Sequence, residues 1–69
     1  MKTITVNGEA RAAPCGGTVA ALLTEMGVPI DRRGVAVAVN GEIVSRERWS
    51  SARLDEGDRV DLVRPVQGG

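Results

Sequence analysis

The sequence has no histidine, no phenylalanine and no tyrosine, and it holds a single cysteine and a single tryptophan. Without histidine it lacks the side chain most often used as a general base near neutral pH, which is also the commonest metal ligand. The lone Cys15 permits neither an internal disulfide nor a cysteine-only metal cage. Net charge is missing as well: nine basic residues balance nine acidic ones. That balance excludes a broad electrostatic grip on nucleic acid or anionic lipid, and one tryptophan makes no platform for stacking bases. The apolar stretch at residues 35–39 is far too short to span a membrane. The first residues run straight into an alternating pattern without the apolar core of a signal peptide, so a cytoplasmic location is the expectation. A self-sufficient enzyme is not expected from such a composition, and neither a bound metal nor a bound cofactor is.

Sixty-nine residues make one small domain with a thin core. Leu, Ile and Val together supply 17 of the 69 residues, enough with zero net charge to predict a folded chain. Residues 2–6 alternate polar and apolar with β-branched side chains and read as a strand. Asn7-Gly8 follows, a strong hairpin signal because both turn positions need positive φ. Residues 9–13 are the returning edge strand, stopped by Pro14. Thr18 is a plausible helix N-cap, and Val19, Leu22, Leu23 and Met26 then fall on one face of a helix of about nine residues. Gly27 fits the left-handed position after the helix, and Pro29 prevents its resumption.

Residues 31–34 read as a polar loop and 35–39 as a strand apolar on both faces. Asn40-Gly41 signals a second hairpin, returning through residues 42–44. Ser45 has the look of a cap for a single turn reaching Trp49, which is expected over the edge of the core. Residues 56–58 make a turn before the last strand at 59–63, where Val60 and Leu62 share one face and Asp61 and Val63 the other. This order predicts a two-layer α+β domain: a mixed sheet of four to five strands, with one main helix packed on one face. The β-grasp arrangement, with first and last strands central, satisfies it. Residues 1–65 form the domain and 66–69 a flexible tail ending Gly-Gly.

That tail is where chemistry is expected. Glycines carry no Cβ, so Gly68 and Gly69 can thread a channel that any side chain would block. Residues 66–69, if extended, reach roughly 13 Å at about 3.3 Å per residue. The functional group at their tip is the Gly69 α-carboxylate. A carboxylate becomes an acyl donor once transfer to AMP turns its oxygen into a leaving group, and a sulfur nucleophile can then make a thiocarboxylate. None of this requires a base or a metal from the chain itself. Cys15, in a Pro-Cys-Gly-Gly turn with no neighbouring base to activate it, offers a rival sulfur site as a persulfide, but reads more simply as a small loop residue. The Arg32/Arg33 and Arg46/Arg48 pairs read as solvated surface.

Several blocks together resemble the ThiS family, the sulfur carriers of thiamine biosynthesis within the ubiquitin-like β-grasp superfamily. They are Val6-Asn7-Gly8-Glu9, the helix start from Gly17 to Leu23, and the second hairpin at residues 37–44. The most telling are Arg46-Glu47-Arg48-Trp49, the stretch at residues 54–60 and the terminal Gly68-Gly69. Ser45 departs from the proline frequent there. The resemblance implies that a ThiF-like adenylyltransferase activates Gly69 with ATP. It also implies sulfur from sulfide or a cysteine desulfurase, and delivery of that sulfur to the thiazole synthase ThiG. Gly69 would carry the sulfur, and Gly68, Gln67 and Val66 would give the tail access. Val63 and Pro65 are candidate partner-interface residues. Three alternatives stay open: a molybdopterin synthase small-subunit-like carrier, a ubiquitin-like modifier conjugated through Gly69, and an interaction module with an idle tail.

Overall fold

The computed structural model describes residues 2–28 and 34–63. Their elements follow the order β1 (Thr3–Val6), β2 (Glu9–Ala12), α1 (Val19–Glu25), β3 (Ala36–Val39), β4 (Glu42–Val44), a 3-10 turn (Arg46–Arg48) and β5 (Arg59–Val63). Asn7 and Gly8 take φ of 51° and 86°, and Asn40 and Gly41 take 53° and 84°. Each Asn-Gly pair therefore closes its hairpin as the positive-φ requirement predicts. The five strands form one sheet in the order β2-β1-β5-β3-β4, with β5 parallel to β1 and antiparallel to β3. The mixed five-strand sheet with one helix is the β-grasp arrangement.

The helix is shorter than its apolar spacing suggests, seven residues. Both of its ends are satisfied by groups outside it. The Thr18 side chain accepts a hydrogen bond from Ala21 N–H, while Val19 and Ala20 N–H donate to the Ala52 and Trp49 carbonyls at 3.0 and 2.8 Å. These are donors that a helix start otherwise leaves unpaired. At the other end Gly27 takes φ 78°, its N–H donates to the Thr24 carbonyl, and Val28 N–H donates to the Leu23 carbonyl. This paired closure is a Schellman motif, and it turns Val28 inward, where it is buried. The polar loop read at 31–34 lies outside the described residues apart from Gly34.

One face of the sheet and one face of α1 enclose the core: Ile4, Val6, Val37, Val60 and Leu62 from the strands, Val19, Leu22 and Leu23 from the helix. Trp49 belongs to this core rather than to its edge, at 3% exposure, and its indole N–H donates to the Val44 carbonyl at 2.9 Å. A buried tryptophan needs such a partner for its polar end. Ser45 precedes the 3-10 turn but its side chain makes no capping bond. The turn closes instead through backbone bonds from Arg48 N–H to the Ser45 carbonyl and from Trp49 N–H to the Arg46 carbonyl.

Leu22 and Leu62 face each other's layer at 1% and 6% exposure. Truncating either leaves a cavity that a core this thin has few means to close. Leu22→Ala and Leu62→Ala are each expected to cost about 2–5 kcal/mol in chemical denaturation. Losses below about 1 kcal/mol in both would contradict this core.

Candidate functional site

The last strand carries the candidate site. Val60 and Leu62 point into the core, whereas Asp61 and Val63 point to the opposite, open face. Val63 stands at the strand end, 61% exposed and paired with Ala36 of β3. Pro65, Val66, Gln67, Gly68 and Gly69 lie outside the described residues. Of the tail and partner-interface residues singled out from sequence, Val63 is the one among the described residues, and it occupies the side of the sheet away from the helix.

Ile43, which the sequence reading passed over, shares that open face. It is 80% exposed and pairs with Ala38, which in turn pairs with Asp61. Ile43 and Val63 are the large hydrophobics left exposed among the described residues. Between them lie Ala36 and Ala38 of β3, whose short side chains leave the sheet surface low. The result is an apolar diagonal, Ile43 to Val63 across two alanines, leading to the end of β5. The signal in sequence is the period-two alternation of β4: Val44 packs against the core, so its neighbour Ile43 must face out.

Both ends of β5 are pinned by asparagine side chains. At its entry, Asn40 accepts the Arg59 N–H on Oδ1 at 2.9 Å and donates from Nδ2 to Asp58 Oδ1 at 3.0 Å. At its exit, Asn7 accepts the Leu62 N–H on Oδ1 at 2.8 Å and donates from Nδ2 to the Leu62 carbonyl at 3.2 Å. Asp58 further accepts the Asp55 N–H at 2.7 Å, which fixes the tight turn leading into the strand. The two hairpin asparagines therefore act well beyond their own turns.

The other candidate chemistry is spare. Cys15 is exposed, with its backbone N–H donating to Glu25 Oε2 at 2.9 Å. Among the described residues, no three Cys, Asp or Glu side chains gather where they could hold a metal ion. The donors at the start of α1 are consumed by the Ala52 and Trp49 carbonyls and by Thr18, which leaves the helix end closed to an anion. Arg46 lies over the Trp49 ring at 5.2 Å from its centroid, the stacking geometry of a cation–π contact. Arg32 and Arg33 lie outside the described residues. No helix among the described residues is long and apolar enough to cross a membrane.

This arrangement has counterparts in known proteins. The model of the ThiS family matches residues 4–69. A protein named sulfur carrier protein ThiS, from Escherichia coli strain K12, is 35% identical over 68 residues, covering 96% of this chain and 97% of its own. A protein named thiazole synthase, from Paramagnetospirillum magneticum, is 41% identical over 69 residues. The match takes in the whole of this chain but spans only 20% of that relative's length. The crystal structure of the thiamine biosynthesis protein ThiS from Geobacter metallireducens superposes with a TM-score of 0.75 at 29% identity, covering 97% of this chain and 99% of that one. A solution structure of a thiamine biosynthesis protein from the same organism gives 0.76 at the same identity, covering 97% and 87%. With residues 4–69 matched and its β-grasp sheet shared, the chain belongs to the ThiS family.

Proposed function

We propose that the chain is a sulfur carrier of thiamine biosynthesis that works through the carboxylate of Gly69, and that it is a co-substrate of other enzymes rather than an enzyme. The observation that carries this reading is the family match running through residue 69, which brings the terminal Gly68-Gly69 pair into the matched region. In this reading residues 1–65 are the domain and 66–69 the arm, whose side-chain-free end suits a narrow channel.

The chemistry follows from what a carboxylate lacks. The Gly69 carboxylate attacks the α-phosphate of ATP in a ThiF-like adenylyltransferase, pyrophosphate leaves, and the acyl carbon now carries AMP as a leaving group. Sulfide displaces AMP and forms the thiocarboxylate directly; a cysteine-desulfurase persulfide displaces AMP to form an acyl disulfide, which a thiol then reduces to release the thiocarboxylate. That sulfur is then delivered to thiazole synthase. The relative named thiazole synthase, with a segment matching this whole chain inside one-fifth of its own length, supports that acceptor. Joining two partners in one polypeptide raises their effective concentration for each other. ATP belongs to the activating partner, and the carrier itself holds no cofactor. The histidine-free composition suits a chain that leaves acid–base work to its partners. A cytoplasmic location accords with those partners.

Val63, with Pro65 beyond it, forms the partner interface in this reading, which extends to Ile43, exposed on the same face. An apolar diagonal beside the strand that leads to the reactive end lets a partner grip the domain and receive the arm together. Being exposed, these side chains contribute little to folding. Ile43→Asp and Val63→Asp are expected to leave stability within about 0.5 kcal/mol in thermal denaturation. Each should weaken activation by the adenylating partner at least tenfold, so full activation of both would remove the interface from this face.

The carrier reading itself is tested by ATP–pyrophosphate exchange with a ThiF-like enzyme, which reports the acyl adenylate alone. Exchange should depend on the wild-type chain and vanish when Gly69 is deleted. Gly69→Ala should fold as wild type and exchange far more slowly, because its Cβ obstructs the channel. Exchange undiminished by either change would overturn the assignment of Gly69.

A further inference from the structure

Asn7 occupies the position where the β1–β5 ladder runs out of backbone. In a parallel pair the hydrogen bonds advance evenly along both strands. Here Thr5 N–H donates to the Asp58 carbonyl at 3.0 Å, and Asn7 N–H donates to the Val60 carbonyl at 2.9 Å. The next rung in this series would run from residue 9 to the Leu62 carbonyl. The chain cannot supply it, because Asn7 turns at φ 51° into the hairpin and Glu9 pairs back with Val6. The Asn7 carboxamide stands in for the missing backbone: Nδ2 donates to the Leu62 carbonyl at 3.2 Å, and Oδ1 accepts the Leu62 N–H at 2.8 Å. A carboxamide carries a donor and an acceptor side by side, as an extended residue carries its own N–H and C=O, so one side chain completes both bonds.

The placement of this pin gives it meaning. Leu62 is one residue before the end of β5 and seven before Gly69. On its far side the strand is held by the pairing of Val63 with Ala36, and on its near side the Asn7 carboxamide alone continues the β1 edge past Val60. We propose that Asn7 is a positioning residue for the C-terminal arm: by extending the β1–β5 ladder to Leu62, it fixes the direction in which the chain departs toward Gly69. This inference rests on the carrier reading of Gly69. Without the pin the end of β5 is held from one side, and the arm samples directions unsuited to the partner's channel. Only the suitably directed fraction binds productively, so the apparent affinity falls by that fraction while the saturated rate is kept.

Asn7→Gly tests this cleanly, because glycine keeps the positive-φ turn and removes only the carboxamide. Asn7→Asp keeps the acceptor for Leu62 N–H but turns a second oxygen toward the Leu62 carbonyl. Two measurements apply to each variant: amide hydrogen exchange by NMR at Leu62 and Val63, and ATP–pyrophosphate exchange against carrier concentration with a ThiF-like enzyme. For Asn7→Gly, Leu62 exchange should accelerate at least tenfold while Val37 and Val60 keep their protection. The half-saturating carrier concentration should rise about fivefold or more, the lower end of what two lost hydrogen bonds are worth, with the maximal rate retained. Asn7→Asp should fall between the two. Val19→Ala, destabilised through the helix with the carboxamide intact, should keep the wild-type half-saturation and so separates positioning from loss of stability. Unchanged half-saturation in a folded Asn7→Gly protein would overturn the proposal, as would unchanged Leu62 exchange. If the wild-type chain itself supports no pyrophosphate exchange, the carrier reading fails. The amide shifts of residues 64 and 66–69 then decide the pin, supporting it if Asn7→Gly displaces them and refuting it if they stay in place.

Discussion

Everything in this fold depends on inserting its last strand into the middle of its sheet. β5 is contacted on one side by β1, more than fifty residues earlier in the chain, and on the other by β3. Its two inward side chains, Val60 and Leu62, meet Ile4, Val6 and Val37 beneath the helix. Until β5 docks, neither hairpin has a neighbour to bury its apolar face, and an isolated hairpin is marginal at best. The helix is in the same position, since seven residues do not hold a helix in water alone. The two hairpins, the helix and the strand thus stabilise one another through the two non-local pairings of β5.

That constraint also ties structure to function. Among the described residues β5 is the last element, and it lies at the centre of the sheet between β1 and β3. The strand is clamped at entry by Asn40 and at exit by Asn7. One face of it is spent on the core, and the other leaves Val63 beside Ala36, Ala38 and Ile43 on an open surface. The body is otherwise chemically quiet, with its helix donors consumed and its core wholly apolar. In the proposed role such a body serves as a handle recognisable on one face, with the chemistry left to Gly69.

Much of this was legible in the sequence because the deciding forces are local. The Asn-Gly pairs announce both hairpins, since few other dipeptides accept two consecutive positive φ values. Thr18, the apolar face from Val19 to Met26, and Gly27 define the helix to within its last turn. The alternation in β5 correctly sent Val60 and Leu62 inward and Val63 outward. What escaped depends on contacts between segments remote in sequence. Asn7 and Asn40 looked like turn residues and nothing more, because their side chains find partners 55 and 19 residues away. Trp49 looked peripheral because its neighbours in sequence are charged, yet it packs beneath them with its indole N–H on Val44. Ile43 went unremarked because one apolar residue in a short strand is ordinary until its neighbours prove to be alanines.

Whether sulfur travels on Gly69, as proposed, is read by intact mass spectrometry. The chain would be incubated with a ThiF-like enzyme, ATP and a sulfide source, then weighed beside a form lacking Gly69. Under that proposal a gain equal to one sulfur less one oxygen is expected in the full chain and none in the shortened one. No gain in the full chain, with the same enzyme shown to charge another carrier, would contradict it. An equal gain in both would contradict it too, by moving the sulfur to some other residue.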